Sequence, residues 1–174
     1  MKNGFILLLI INCLLACQGK PLEIGEVDAY VPIYNSKISA EAITQLTVQP
    51  IVNGGKIATL GNYVFQVEED KGIHVINYSN PSNPVKTTFI QIALCRELTL
   101  KGNYIYTNNM ADLVVLDISN LAAVKLTFRI SNAFPDLGIQ YPSANGVYFE
   151  CPDASKGVVT GWVLQKIKNP KCRR

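Results

Sequence analysis

The sequence predicts an all-β protein, and three observations predict it. A motif returns after about forty residues, turn-forming residues cut the chain into short alternating strands, and no segment beyond the N-terminal apolar run keeps a helical period. Gly61-Asn62-Tyr63-Val64-Phe65 returns as Gly102-Asn103-Tyr104-Ile105-Tyr106, an offset of 41 residues. Gly72-Ile73-His74-Val75-Ile76-Asn77-Tyr78-Ser79-Asn80 returns as Asp112-Leu113-Val114-Val115-Leu116-Asp117-Ile118-Ser119-Asn120, an offset of 40. The difference falls in the hairpin between the two blocks, where a one-residue deletion is readily absorbed.

Each copy reads in the same order. Lys56 to Leu60, and Glu97 to Lys101, are the opening strands. A Gly-Asn pair follows, suited to the positive φ of a tight hairpin. The second strand alternates around Tyr and Val or Ile. Next comes a polar stretch, Glu68-Glu69-Asp70-Lys71 or Asn108-Asn109-Met110-Ala111-Asp112, expected as a solvated hairpin tip. The third strand is almost wholly apolar and stops at Ser-Asn, which Pro81, Asn83 and Pro84 follow in the first copy. Lys86 to Ile92, and Val124 to Ile130, are the fourth strands. Four strands in a period near forty are the signature of a β-propeller blade.

Two four-stranded antiparallel blades are therefore expected. Residues 131–174 add a partial third, with Val147 to Glu150 and Val158 to Leu164 as its best strands. Closed propellers need about 4 to 8 blades, so the arrangement is expected to be open. An open stack has apolar ends. Either the N- and C-terminal segments cap them, or they associate with another chain.

Leu113-Val114-Val115-Leu116-Asp117-Ile118-Ser119-Asn120 resembles the LVIVD repeat, and Gly72 to Asn80 with Pro81 is a looser copy that has Asn77 and Tyr78 where the pattern has Asp and Ile. The resemblance covers about residues 53 to 130. It implies an exported, frequently lipid-anchored propeller, and it brings no catalytic residues to transfer.

The N-terminus gives an address. Lys2, the apolar run Phe5 to Ile11 and Leu14-Leu15-Ala16-Cys17 have the three parts of a secretory signal and resemble a bacterial lipobox. Residues 1–16 are expected as a lipoprotein signal peptide and Cys17 as the lipidation site. Residues 17–50 are read as a tether and capping segment, and 51–174 as the repeat domain. The apolar run is shorter than the roughly 20 residues that span a bilayer. Membrane attachment would rest on the lipid at Cys17, since each buried CH₂ contributes about 0.8 kcal/mol and more than one chain holds firmly. No aspartate follows Cys17, which points to the outer membrane of a Gram-negative bacterium.

Composition narrows the function. The net charge of +3 loses Lys2 on processing, so no basic footprint for nucleic acid exists. Lys166, Lys168, Lys171, Arg173 and Arg174 crowd the C-terminus, as a solvated end or as a contact for anionic headgroups or polysaccharide. Cys151 and Cys172 are a candidate disulfide, while Cys95 sits in an apolar context that suits a buried, inert thiol. The only histidine, His74, lies in an apolar strand and is read as packing.

No zinc constellation, nucleophile elbow or phosphate loop appears, so no catalytic residue, metal ligand or cofactor is assigned. There are eight tyrosines, and tyrosines on a propeller face can stack on sugars, although packing is their usual strand role. The favoured reading is a non-enzymatic binding or scaffolding lipoprotein with a protein or glycan partner, or a second copy of itself. The alternative is an envelope hydrolase acting on glycans or esters.

Overall fold

The computed structural model describes residues 23–138 and 141–174. The expected signal segment 1–16 and Cys17 lie outside the described residues. Among those residues no helix is long and apolar enough to cross a membrane.

The two repeats form antiparallel meanders. The first comprises β3 (Gly54–Leu60), β4 (Tyr63–Glu68), β5 (Gly72–Asn77) and β6 (Val85–Gln91). The second comprises β7 (Thr99–Lys101), β8 (Tyr104–Asn109), β9 (Asp112–Asp117) and β10 (Lys125–Ile130). Local chemistry explains why the sequence blocks recur. Gly61 and Gly102 both stand at φ 55°, the left-handed conformation their turns require. Asn77 and Asp117 end the apolar strands in the same way: Oδ1 accepts from the backbone N of Ser79 or Ser119 at 2.9 and 2.8 Å, and from the serine hydroxyl at 2.6 Å in both copies. Asn80 and Asn120 then accept from the backbone N of Ser82 and Ala122. These side chains satisfy backbone donors where the ladder stops. Thr87 and Thr127 sit at matching register shifts, and their hydroxyls donate to the carbonyls of Val75 and Val115 at 3.1 and 3.0 Å.

The core lies between the repeats. Phe65, Val67, Ile73, Val75 and Ile90, all on one face of the first sheet, pack with Leu98, Ile105, Leu116 and Ile118 from the second, and Ile92 and Cys95 fill the connection. We call this the back face of the first repeat; it meets the front face of the second.

Two features differ from the expected pair of four-stranded blades with a partial third. First, β2 (Thr44–Leu46) adds to the outer edge of β6, giving the first sheet five strands in the order β2-β6-β5-β4-β3. A three-residue strand is too short to show alternation. Second, the third sheet has four strands and takes its central one from the N-terminal half. Its order is β12-β1-β11-β13, with β1 (Glu26–Asn35), β11 (Tyr148–Phe149), β12 (Val158–Lys168) and β13 (Cys172–Arg173). β1 and β12 run antiparallel from Glu26↔Lys168 to Asn35↔Val158, while β1 and β11 run parallel. The sheet is therefore mixed and not a third copy of the repeat meander.

Between β1 and β2, the helix α1 (Lys37–Glu41) starts at Ser36, whose hydroxyl accepts from the Ser39 N–H at 3.1 Å. This stretch fastens the repeats together. Asn109 Nδ2 donates to the Ala40 carbonyl at 3.0 Å, and Arg129 Nη2 to the Glu41 carbonyl at 2.8 Å. Gln45 spans both repeats, donating to Thr88 Oγ1 and to the Leu121 carbonyl while accepting from the Val124 N–H.

Candidate functional site

Of the polar stretch Glu68-Glu69-Asp70-Lys71, Glu69 and Lys71 are exposed as a hairpin tip should be, but Glu68, the last residue of β4, is not. Glu68 pairs across the ladder with Gly72 and is almost fully buried, as is His74. The Glu68 carboxylate accepts from the backbone N–H groups of Val52 and Asn53, the shortest at 2.7 Å, and faces His74 Nε2 at 3.1 Å. The carboxylate side places the imidazole hydrogen on Nε2 and leaves Nδ1 without a partner among the described residues. The His74 ring also packs on Phe89, with centroids 4.8 Å apart. Burial raises the Glu68 carboxyl, but the bonds from Asn53, Val52 and His74 outweigh it and hold the group below its ordinary value. With its lone pairs engaged, Glu68 binds the Val52–Asn53 segment against the front face of the first repeat. In the matching stretch of the second repeat Asn108 and Asn109 are buried as well. Asn108 Oδ1 accepts from the N–H groups of Arg96 and Glu97 at 2.8 Å, and its Nδ2 donates to the Leu94 and Met110 carbonyls.

Two cavities adjoin this region. A groove of about 520 Å³ runs between α1, β2 and the first repeat, with Ser39, Thr44, Gln49, Glu68, Phe89 and Gln91 among its walls. A cleft of about 140 Å³ opens where the connector between the repeats meets the third sheet. There Asp70, at φ 66°, accepts from Arg96 Nε at 2.6 Å and from Nη2 at 3.2 Å.

The largest contrast lies on the sheet faces. Register places Ala58, Phe65, Val75 and Thr88 in one row across the back face of the first repeat, with Val67, Ile73 and Ile90 in the next. The equivalent rows of the second repeat are Thr99, Tyr106, Val115 and Phe128, then Asn108, Leu113 and Ile130. Ile90 is 0% exposed and its counterpart Ile130 is 45% exposed; Phe128 reaches 57% and Tyr104 41%. An apolar face that is core in the first copy is part surface in the second, where Val115 stays buried and the edge strand β10 exposes Phe128 and Ile130.

The cysteines among the described residues divide into two kinds. Cys151 and Cys172 are joined by a disulfide that ties the end of β11 to β13. Cys95 is free and buried beside Thr107 Oγ1, and burial pushes its thiol up to about 11, which suppresses the reactive thiolate. Among the described residues no group of three or more His, Cys, Asp or Glu side chains is placed to hold a metal ion. The C-terminal basic residues are spread along β12 and β13, where Lys166 pairs with Asp28 and Arg173 lies over the Tyr148 ring.

Comparison with known proteins matches residues 53–88 and 95–132 to the LVIVD repeat. The first match runs from the Asn53–Gly54 entry into β6, ending at Thr88, and the second from Cys95 to just past β10. No curated protein and no solved structure matches the chain.

Proposed function

For a chain that carries two LVIVD repeats, we propose a lipid-anchored binding or scaffolding role in the bacterial cell envelope, with no reaction of its own. The apolar back face of the second repeat carries this reading. Phe128 and Ile130, exposed side by side along the edge strand β10, are what a protein partner would cover, and each is already about half buried, so covering it contributes less than the roughly 1.5–3 kcal/mol of a full burial. Two further observations support the compartment: the lipobox ending at Cys17, and a disulfide, a bond that persists outside the reducing cytosol. The buried carboxylate of Glu68 spends its lone pairs on backbone donors and His74, so it acts as a structural group.

The role is tested in membranes with a photo-crosslinking residue in place of Phe128. A discrete adduct that is lost when Ile130 becomes Glu is the expected result. An adduct-free face, or a hydrolytic activity abolished by one carboxylate substitution, contradicts the proposal. Cys17→Ser should abolish incorporation of labelled palmitate, and undiminished labelling removes the anchor from the reading.

A further inference from the structure

We infer that the cleft between Asp70–Arg96 and the third sheet is a binding site for a single neutral sugar ring. It is separate from the apolar face of the second repeat, and its test does not depend on that reading. Three aromatic side chains from distant parts of the chain converge there: Tyr30 from β1, Trp162 from β12, and Tyr141 from the segment before β11. Trp162 and Tyr141 each meet Phe149 nearly edge-on, at interplanar angles of 88° and 76°. Phe149 is itself buried, so both rings are held in place before any ligand arrives. Aromatic surface set beside a few fixed polar groups is the usual composition of a small-molecule site.

The polar groups select the ligand. Arg96 and Asp70 form a planar two-bond pair whose charges cancel, so the cleft attracts neither an anion nor a cation strongly. Their side chains remain 41% and 35% exposed, which leaves outward donor and acceptor positions side by side. The carboxylate accepts from one hydroxyl while the guanidinium beside it donates to the next, which is the pattern that adjacent ring hydroxyls offer. The opposite face of a sugar ring carries C–H groups that suit Tyr and Trp. Ser143 adds a hydroxyl at the rim. At about 140 Å³ the cleft holds one ring and not an oligosaccharide. The larger groove beside Glu68 carries no such inference, because Phe89 is the one aromatic ring among its walls.

Trp162 is the only tryptophan in the chain, so its emission reports on this cleft alone. The experiment titrates methyl α- and β-glycosides of glucose, galactose, mannose and N-acetylglucosamine into the detergent-solubilised full chain. A saturable change with at least one of them is expected. Arg96→Ala should weaken it about tenfold or more, through loss of a charge-assisted hydrogen bond. Tyr141→Ala, at a half-exposed rim position, keeps the test available if Arg96→Ala disturbs folding as judged by circular dichroism, and it should weaken binding severalfold. Tyr104→Ala, on the back face of the second repeat, should leave the titration unchanged. No saturable change with any glycoside overturns the inference. So does a change that survives both Arg96→Ala and Tyr141→Ala.

Discussion

The two repeats share their turns, their bulges and their strand register, yet they hold opposite positions in the molecule. The first exposes Ile57 and Val85 but has its back face enclosed. β2 covers its outer edge, Glu68 fastens the Val52–Asn53 segment across its front, and the second repeat buries its back. The second is enclosed on its front only, and its back row exposes Phe128 and Ile130. Identical backbone grammar therefore carries different side-chain duties. Position in the stack decides whether an apolar residue is core or contact surface.

Several measurements would break or sharpen that contrast. The largest difference is expected between Ile90→Ala and Ile130→Ala, which remove the same atoms from equivalent positions. Urea unfolding should show a loss of about 2–5 kcal/mol for Ile90→Ala and under about 1 kcal/mol for Ile130→Ala. Equal losses would mean that the second back face is also buried. The third sheet lies outside the repeat grammar and depends on its bridge. Replacing Cys151 and Cys172 by Ser should cost about 3 kcal/mol in the chain-entropy model, read from guanidinium unfolding, and an unchanged midpoint would remove the bridge from the account.

Glu68 gives the first repeat a pH dependence that the second lacks at the matching position, where Asn109 stands. Its folded-state carboxyl lies below the unfolded value. The stabilisation is then fully present above the unfolded value and is lost as pH falls through the folded one. Glu68→Gln should cost about 1–3 kcal/mol at neutral pH and flatten the acid limb of the stability curve; an unaltered limb would contradict the assignment. The smallest effect is expected for Asn77→Asp, which gives the first repeat the residue of the second. Both side chains accept from a serine N–H and hydroxyl in the same turn, so stability should stay within about 0.5 kcal/mol. A larger loss would show that the two turns are not equivalent.

The repeats were legible in the sequence because their signals are local. Gly61 and Gly102 make their turns within a few residues, and Asn77 and Asp117 bond two residues ahead. What was not legible depends on partners far along the chain. β1 pairs with β12 across more than a hundred residues, and no periodic pattern announces it. β2 is too short to register. Glu68 read as a solvated tip because acidic runs usually are; the available signal was a histidine placed six residues on, opposite the neighbouring position of the hairpin. The aromatic cleft was hidden for the same reason as β1. Tyr30, Arg96, Tyr141 and Trp162 come from four separate segments, and only the assembled sheets bring them together.

The central claim is that one apolar face is covered in the first repeat and free in the second. Thiol accessibility tests it directly. With Cys13 and Cys17 replaced by Ser, the background is quiet, since Cys95 is buried with a raised pKa and Cys151 is bridged to Cys172. With Ile90→Cys and Ile130→Cys made separately in the purified chain, a maleimide should label position 130 at the rate of an exposed thiol. Position 90 should react only on unfolding. Matching protection at the two positions would contradict the account.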